Sequence, residues 1–167
     1  MRHELESLID QYSEKLLRYA TSILYNHQDA EDVVQDVFMA AHQKSAETTD
    51  NISAWLYKVT YNKSINKLNR RKFLFFGDIP ENTVASSART GLSEEMHYAL
   101  SLLKPHDRAL IYSRIVEGYN YDELSLQMGT SAAALRKRYE RAKKKLSDYF
   151  ENSDNREQFA KTEGSRT

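Results

Sequence analysis

Basic side chains crowd one short stretch near the C-terminal end of the chain. Positions 134–146 hold seven Lys or Arg residues and a single acid. Four apolar residues at helical spacing would share the inward face of this stretch: Leu135, Tyr139, Ala142 and Leu146. Five polar residues fall on or beside the outward face: Arg136, Lys137, Glu140, Arg141 and Lys144. Arginine can bond guanine in a bidentate fashion and lysine more often meets a phosphate, so this face predicts contact with a nucleic acid.

A second basic patch lies near the middle of the chain. Residues 63–72 contain no acid and five cations: Lys63, Lys67, Arg70, Arg71 and Lys72. Residues 1–50, by contrast, hold ten acids and four Lys or Arg. The 24 basic and 24 acidic side chains of the whole chain cancel, but their uneven distribution predicts a protein that touches phosphates at two places.

Other chemistry has little support in the sequence. The chain has no cysteine, which excludes disulfides and thiolate zinc sites, and its five histidines show no paired metal-binding spacing. A glycine-rich phosphate loop and a paired-carboxylate motif are both absent. We therefore expect no metal, no other cofactor and no enzymatic activity. No apolar run approaches the roughly 18 residues of a spanning helix, so we expect no membrane insertion and a cytoplasmic location.

Helical periodicity dominates the elements that must position these residues. With five Gly and two Pro in 167 residues, and with strand patterns nearly absent, the composition favours an all-α fold. Apolar spacing predicts a first helix that runs to about Tyr25 and a second over 30–43, begun by a capping box at Asp29 and Asp32. Ser53 would cap a third helix, which leads into the second basic patch.

The periodicity fails over 73–93, where Gly, Pro and small polar residues predict a flexible linker between two small helical domains. Four large apolar residues open this linker: Phe73, Leu74, Phe75 and Phe76. They predict either a cap on the core of the first domain or a hinge patch on which the second domain, or an inhibitory partner, folds down.

Helical spacing returns after the linker. Ser93 is a candidate cap, and a helix that follows Pro105 would stop at Gly118. Two helices are then predicted at about 121–128 and 131–150, on either side of Gly129. A short helix, a glycine and a longer basic helix form the layout of a helix-turn-helix. The polar tail over 151–167 is predicted to fray.

Three segments together resemble the extracytoplasmic-function class of bacterial sigma factors: DAEDVVQDVF from Asp29, ISAWLYKVTYNKSINKLNRRK from Ile52 and YNYDELSLQMGTSAAALRKRYERAKKKL from Tyr119. The resemblance implies a domain at 1–72 similar to sigma region 2, a linker at 73–93, a domain at 94–150 similar to sigma region 4, and a flexible tail at 151–167. It also implies a protein without a catalytic site, whose partners are core RNA polymerase, promoter DNA and an anti-sigma factor.

The segment from Asp29 to Phe38 resembles the surface with which such factors dock on the clamp coiled coil of the polymerase's largest subunit. Four residues of that predicted helix share a face away from the apolar side and are the candidate polymerase-binding residues: Asp32, Gln35, Asp36 and Met39.

The second segment resembles the part that handles the minus-ten promoter element. The resemblance implies that the loop at Gln43–Asn51 holds a flipped base and that the following helix contacts the non-template strand. Aromatic rings can stack on unpaired bases and cations can follow the backbone. The candidate minus-ten residues are Tyr57, Lys58, Tyr61, Asn62, Lys63, Lys67, Arg70 and Arg71. We assign Trp55 and Leu56 to the core. Ile52 and Asn66 replace a phenylalanine and an aspartate that are frequent in the family.

The third segment resembles the part that recognises the minus-thirty-five element. Its candidate residues are those of the outward face: Arg136, Lys137, Glu140, Arg141 and Lys144. Arg136 and Arg141 match the family, whereas Lys137 and Glu140 do not. Glu140 could accept a hydrogen bond from a cytosine amino group, so we expect an unusual promoter sequence.

Two other classes of protein fit parts of this pattern. A helix-turn-helix regulator that does not replace sigma would bind a palindrome as a dimer, but it leaves the acidic second helix and the basic third helix without a role. An all-helical adaptor would need no DNA contact. The cations after Ala134 argue against an adaptor, because a solvated helix face normally mixes both signs of charge.

Overall fold

The computed structural model describes residues 2–44, 50–74 and 92–164, with side chains over 3–44, 50–72 and 92–154. All secondary structure within these ranges is helical. The helices are α1 (Arg2–Leu24), α2 (His27–Gln43), α3 (Ile52–Leu74), α4 (Glu94–Ser101), α5 (Pro105–Ile115), α6 (Tyr121–Met128) and α7 (Ala132–Gly164). We call α1–α3 the first half and α4–α7 the second half.

Asparagine side chains begin the two helices that follow α1. The Oδ1 of Asn26 accepts a hydrogen bond from the amide of Asp29 at 3.0 Å, and α2 starts at the next residue after Asn26. The Oδ1 of Asn51 accepts one from the amide of Ala54 at 2.9 Å. The predicted starts, a capping box at Asp29 and a cap at Ser53, are therefore wrong. In each case an asparagine lies just upstream and satisfies the free amides of the first turn.

Local signals begin the helices of the second half close to where the sequence predicts them. Ser93 caps α4 through its hydroxyl oxygen, and Asn120 and Glu123 form a reciprocal capping box at the start of α6. Gly129 ends α6 with a φ of +62°, a conformation that glycine adopts without strain. Ser131 then caps α7. The two helices and the turn between them form the predicted helix-turn-helix.

Helix α7 is longer than predicted. The sequence pattern indicates an end near 150 and a frayed tail from 151, but the helix continues to Gly164. The prediction is therefore wrong for 151–164. This stretch contains no proline, and no glycine before its last residue, and most of its residue types tolerate or favour a helix.

The two halves share the larger of two clusters of buried side chains. Within the first half α1 packs on α2 and α3, and within the second half α7 packs on α5 and α6. Helix α1 also packs on α5, and α3 packs on α6, which joins the halves. One cluster of buried side chains contains Leu16 and Leu56 of the first half together with Leu110 and Leu124 of the second. The two predicted helical units are thus in close contact.

The sequence predicts neither membrane insertion nor a bound metal. Within the described ranges, no helix combines the length and the apolar character that crossing a bilayer requires. Among the described side chains, no three His, Asp or Glu residues converge in a way that could hold a metal ion.

Candidate nucleic-acid interface

Helix α7 presents the five predicted minus-thirty-five residues to solvent. Arg136, Lys137, Glu140, Arg141 and Lys144 are all exposed, and we call them the recognition face. The other side of the helix buries Leu135, Ala142 and Leu146, which fixes its rotation against the rest of the second half. The recognition face is therefore free to enter a groove of DNA.

Tyr121, at the start of α6, supports the N-terminal end of the recognition face. The guanidinium carbon of Arg136 lies 5.2 Å from the centre of the Tyr121 ring, and that of Arg114 lies 4.6 Å from it. Such contacts contribute about 0.5 to 1 kcal/mol each at exposed sites. The tyrosine thus restricts the directions that the Arg136 side chain can take. Sequence reasoning missed this contact, because it joins residues of different helices.

A basic cleft with a volume of about 340 Å³ lies beside the recognition face. It is lined by Lys104, His106, Asp107, Arg138, Arg141, Ala142 and Lys145. The Nε of Arg138 lies 3.8 Å from a carboxylate oxygen of Asp107, which partly neutralises the cleft. Arg141 is shared with the recognition face, so the positive surface extends from that face into the cleft. The other cations of the cleft are Lys104, Arg138 and Lys145, none of which is among the predicted minus-thirty-five residues.

The predicted minus-ten residues of α3 fall into three groups by exposure. Lys58, Asn62 and Arg70 are exposed. Lys63, Lys67 and Arg71 are half-buried against α2. Tyr57 and Tyr61 are buried, with 1% and 5% of their surface exposed. The structure therefore does not bring the eight residues together on one open surface.

Tyr57 and Tyr61 contact the second half of the chain. The hydroxyl of Tyr57 donates a hydrogen bond to a carboxylate oxygen of Glu117 at 2.9 Å. The hydroxyl of Tyr61 lies 2.5 Å from Nδ1 of His106. Burial raises the pKa of both tyrosines. His106 keeps part of its surface exposed, and partial loss of hydration lowers its pKa. In this arrangement neither ring has a face open to a base, so their predicted role requires the two halves to separate.

Three acids of α2 pair with three cations of α3. Asp29 contacts Arg71 and lies 3.6 Å from Nζ of Lys67. Lys67 is also 3.2 Å from Asp32, and Lys63 is 3.9 Å from Asp36. We call these six residues the charge ladder: Asp29, Asp32, Asp36, Lys63, Lys67 and Arg71. Steps of three and four on α2 face steps of four on α3, a match that the sequence spacing already contained.

The predicted polymerase-binding residues of α2 share an exposed face. Asp32, Gln35, Asp36 and Met39 are all exposed, and 61% of the Met39 surface is open. Asp32 and Asp36 also belong to the charge ladder, so this face adjoins the cations of α3. Sequence reasoning treated the two surfaces as separate. It also took Asp29 for a capping residue, whereas the carboxylate of Asp29 is buried against Lys67 and Arg71.

Two predicted features fall partly or wholly outside the described residues. Positions 45–49 of the loop Gln43–Asn51, which would hold a flipped base, lie outside them. Phe75 and Phe76 also lie outside, and for Phe73 and Leu74 the description covers the helical backbone alone.

Comparison with known families decides what this arrangement is. The family model described as Sigma-70 region 2 matches residues 8–73, and the one described as Sigma-70, region 4 matches residues 93–146. This chain belongs to the sigma-70 family. Its relatives place it in the extracytoplasmic-function class, whose members are initiation factors and not enzymes.

Curated relatives of this sigma factor share about a quarter of their residues with it. The extracytoplasmic-function sigma factor SigE of Mycolicibacterium smegmatis is 24% identical over 87% of this chain. The chain spans 61% of the length of SigE. The sigma factor NccH of Alcaligenes xylosoxydans xylosoxydans is 27% identical over 87% of this chain and 86% of its own length. YlaC of Bacillus subtilis is 25% identical, over 87% and 91%.

Solved structures agree with the all-α fold of two sigma regions. The sigma factor RpoE of Bartonella quintana, solved with the anti-sigma factor NepR, superposes with a TM-score of 0.74. It is 24% identical and the match covers 90% of this chain and 98% of RpoE. CnrH, solved with the cytosolic domain of CnrY, gives a TM-score of 0.67 at 22% identity, over 91% of this chain and 90% of CnrH. The predicted fold class is confirmed.

Proposed function

We propose that this chain is an alternative sigma factor that binds core RNA polymerase and directs initiation at promoters with matching minus-thirty-five and minus-ten elements. The observation that carries the proposal is the presence of both sigma regions in one chain, region 2 over 8–73 and region 4 over 93–146. Each region carries an exposed charged face, acidic on α2 and basic on α7.

Region 4 supplies the minus-thirty-five contact in this proposal. The recognition face enters the major groove, with Arg136 and Arg141 on base edges, Glu140 facing a cytosine and Lys144 on a phosphate. The cations of the basic cleft continue the positive surface along the backbone. The domain boundaries that we propose are 1–72 for the first domain and 94–150 for the second.

Region 2 supplies the polymerase contact and the minus-ten contact. Asp32, Gln35, Asp36 and Met39 offer acidic and amide groups with one pliable apolar side chain, which suits a basic helical partner. On α3, Lys58, Asn62 and Arg70 are positioned for the non-template strand. Tyr57 and Tyr61 reach it only after α3 parts from the second half. Lys63, Lys67 and Arg71 are partly exposed and reach it when they release their acids on α2.

Three further assignments follow from the family. We propose the cytoplasm as the compartment, since the partners are polymerase and DNA. An anti-sigma factor is proposed as a regulator, and the structurally similar RpoE was solved with one, NepR. The factor is proposed to work without a cofactor. A helix-turn-helix regulator that does not replace sigma is the competing function, and it leaves the region 2 match without a role.

Transcription with purified components tests the proposal. The full chain is mixed with core polymerase that lacks other sigma factors and with a library of promoter fragments. We expect specific initiation at a subset of the fragments. When Asp32 and Asp36 are both changed to Asn, about tenfold more factor should be needed for the same initiation. A regulator would bind fragments without core but would start no transcripts. That outcome would replace the proposal by the competing function.

A further inference from the structure

Tyr25 belongs to the first half of the chain but is buried in the core of the second. It follows the last residue of α1 and lies within the region 2 match. Its side chain is 1% exposed and packs in a cluster with Leu100, Leu103, Ile111 and Leu146, all from the region 4 match. The first half therefore places an aromatic side chain inside the other half.

Polar contacts surround the ring of Tyr25. Its hydroxyl donates a hydrogen bond to the carbonyl oxygen of His97 at 2.8 Å, and the two ring centres are 4.3 Å apart. The guanidinium carbon of Arg108 lies 4.6 Å from the tyrosine ring. Arg108 is itself 2% exposed and donates a hydrogen bond to the carbonyl of Ile23 at 2.6 Å, at the end of α1. The Tyr25 ring is thus the centre of a contact between the halves. One hydrogen bond runs from the first half to the second, and another runs from the second half to the first.

The backbone of Tyr25 is held in an unusual conformation. Its φ of +52° lies in the left-handed region, where an L-residue with a bulky side chain is strained and asparagine or glycine is not. Burial of the ring in the second half offsets that strain. A substitution to asparagine therefore keeps the local backbone while it removes the ring.

The same arrangement covers part of the predicted minus-ten surface. With the halves together, Tyr57 contacts Glu117 and Tyr61 contacts His106, and both tyrosines are buried. A base cannot stack on either ring until α3 and the second half part. Closure and access to the single strand are therefore mutually exclusive at these two positions.

We propose that Tyr25 is a latch that holds the free chain closed and keeps Tyr57 and Tyr61 covered until a partner separates the halves. Its effect on DNA rests on the proposed function, whereas its effect on closure does not. The latch needs no second protein, so the isolated factor restrains itself. Any partner that binds the open form better than the closed one releases both tyrosines by shifting the population.

The test compares Tyr25→Asn with Tyr98→Asn, which removes the same type of side chain from a half-exposed position of α4. The chain has no native cysteine, so Ser7→Cys on α1 and Ser147→Cys on α7 give two exposed positions for a donor and an acceptor dye. We expect energy transfer to fall and the radius from small-angle scattering to rise in Tyr25→Asn. The Tyr98→Asn chain should match the parent in both measurements. Unchanged transfer and radius in a folded Tyr25→Asn chain would overturn the latch.

The second arm measures binding of the free chain to a single-stranded oligonucleotide that carries the minus-ten sequence selected with the holoenzyme. We expect Tyr25→Asn to bind at least about tenfold more tightly than the parent, because apparent affinity scales with the open fraction. An open chain with unchanged affinity would overturn the covering of the DNA surface. Transcription by the parent with core polymerase is scored separately, so failure of the latch is distinguishable from failure of the sigma function.

A third variant provides the test if Tyr25→Asn does not fold. Tyr25→Phe keeps the buried ring and removes the hydroxyl, which donates a hydrogen bond to the carbonyl of His97. If circular dichroism shows that Tyr25→Asn is unfolded, Tyr25→Phe decides the question. We then expect a partial loss of energy transfer in Tyr25→Phe, and transfer equal to that of the parent would overturn the latch.

Discussion

The ammonium nitrogen of Lys67 lies 3.2 Å from a carboxylate oxygen of Asp32. Lys67 is a predicted minus-ten residue and Asp32 a predicted polymerase-binding residue. Promoter DNA and core polymerase would therefore each bind one member of the same ion pair. The ammonium group of Lys67 cannot pair fully with Asp32 and with a phosphate at the same time. Binding at either surface therefore changes the charge that the other surface presents.

The first prediction concerns the exposed part of the charge ladder. Changing Asp32 and Asp36 together to Asn should weaken core binding about tenfold, because exposed charge pairs each contribute up to about 1 kcal/mol. The free energy of unfolding should change by less than about 1 kcal/mol, since both acids are more than half exposed. Asparagine is used because it is neutral, whereas a charge reversal to Lys would place a new positive charge next to Lys63 and Lys67. Titration of labelled protein with core polymerase provides the measurement.

A matched control for this double variant is Glu31→Gln, which removes one exposed acid from the same helix. Glu31 pairs with His27 and not with α3. It should leave core affinity unchanged. Equal losses of core affinity in Glu31→Gln and in the double variant would show that net charge governs docking, and not the face that contains Asp32 and Asp36.

The second prediction concerns the buried end of the ladder. Asp29→Asn should lower the free energy of unfolding by about 2 kcal/mol, because hydrogen bonds to charged groups contribute roughly 1.5 to 3 kcal/mol. The side chain of Asp29 is 10% exposed and contacts both Arg71 and Lys67, so its loss leaves two half-buried cations without this acid. Urea unfolding followed by circular dichroism measures the change. A variant as stable as the parent would show that the Asp29 contacts contribute no net stability.

Local signals account for the parts of the fold that the sequence predicted. The capping box at Asn120, the glycine at 129 and the alternation of Leu135 and Ala142 with exposed cations each act over a few residues, so α6 and the recognition face could be placed from the sequence. The starts of α2 and α3 were misplaced because each has two candidate caps two or three positions apart, Asn26 or Asp29 and Asn51 or Ser53, and only the backbone conformation decides between them.

Contacts between the halves could not be predicted in the same way. Tyr57 and Tyr61 lie on one side of α3 at a spacing of four, which fits a core face and a base-stacking face equally well. The choice depends on residues 45 to 60 positions away, Glu117 and His106, and helical periodicity carries no information about them. The charge ladder was missed for a different reason, since its spacing was present but Asp29 had already been assigned to a cap.

The third prediction concerns base readout by α7. Arg136→Ala or Arg141→Ala should cost about 1 to 3 kcal/mol at one promoter position and relax the preference there. Lys144→Ala should weaken binding evenly across sequences and reduce the salt slope by about one, as expected for a phosphate contact. Site selection with the holoenzyme, repeated for each variant, measures the base preferences, and binding titrations at several salt concentrations measure the affinity and its salt slope. Unchanged base preferences in both arginine variants would remove them from the readout.

The fourth prediction is that acid weakens the contact between α3 and α5. His106 of α5 meets the hydroxyl of Tyr61. Although part of His106 is exposed, loss of hydration at this contact lowers the pKa of its imidazole below the ordinary 6.5, with further lowering by Arg138 and Lys72 and an opposing effect of Asp107. Above pH 6.5 the imidazole is neutral in folded and unfolded chains alike. As the pH falls below 6.5 the unfolded chain takes up the proton first, so the folded state loses stability until its own lower pKa is passed.

Thermal unfolding at pH 7.5 and pH 5.5 tests this pH dependence with one variant and one control. His106→Gln keeps a hydrogen-bonding side chain opposite Tyr61 but cannot take up a proton, so its loss of stability on acidification should be smaller than that of the parent. His42→Gln changes an exposed histidine at the end of α2 and should behave as the parent does. His97 at the Tyr25 contact also has a lowered pKa, through burial and Arg108, so part of the acid sensitivity should persist in His106→Gln. If His106→Gln and the parent lose the same stability between the two pH values, the imidazole of His106 does not control the contact.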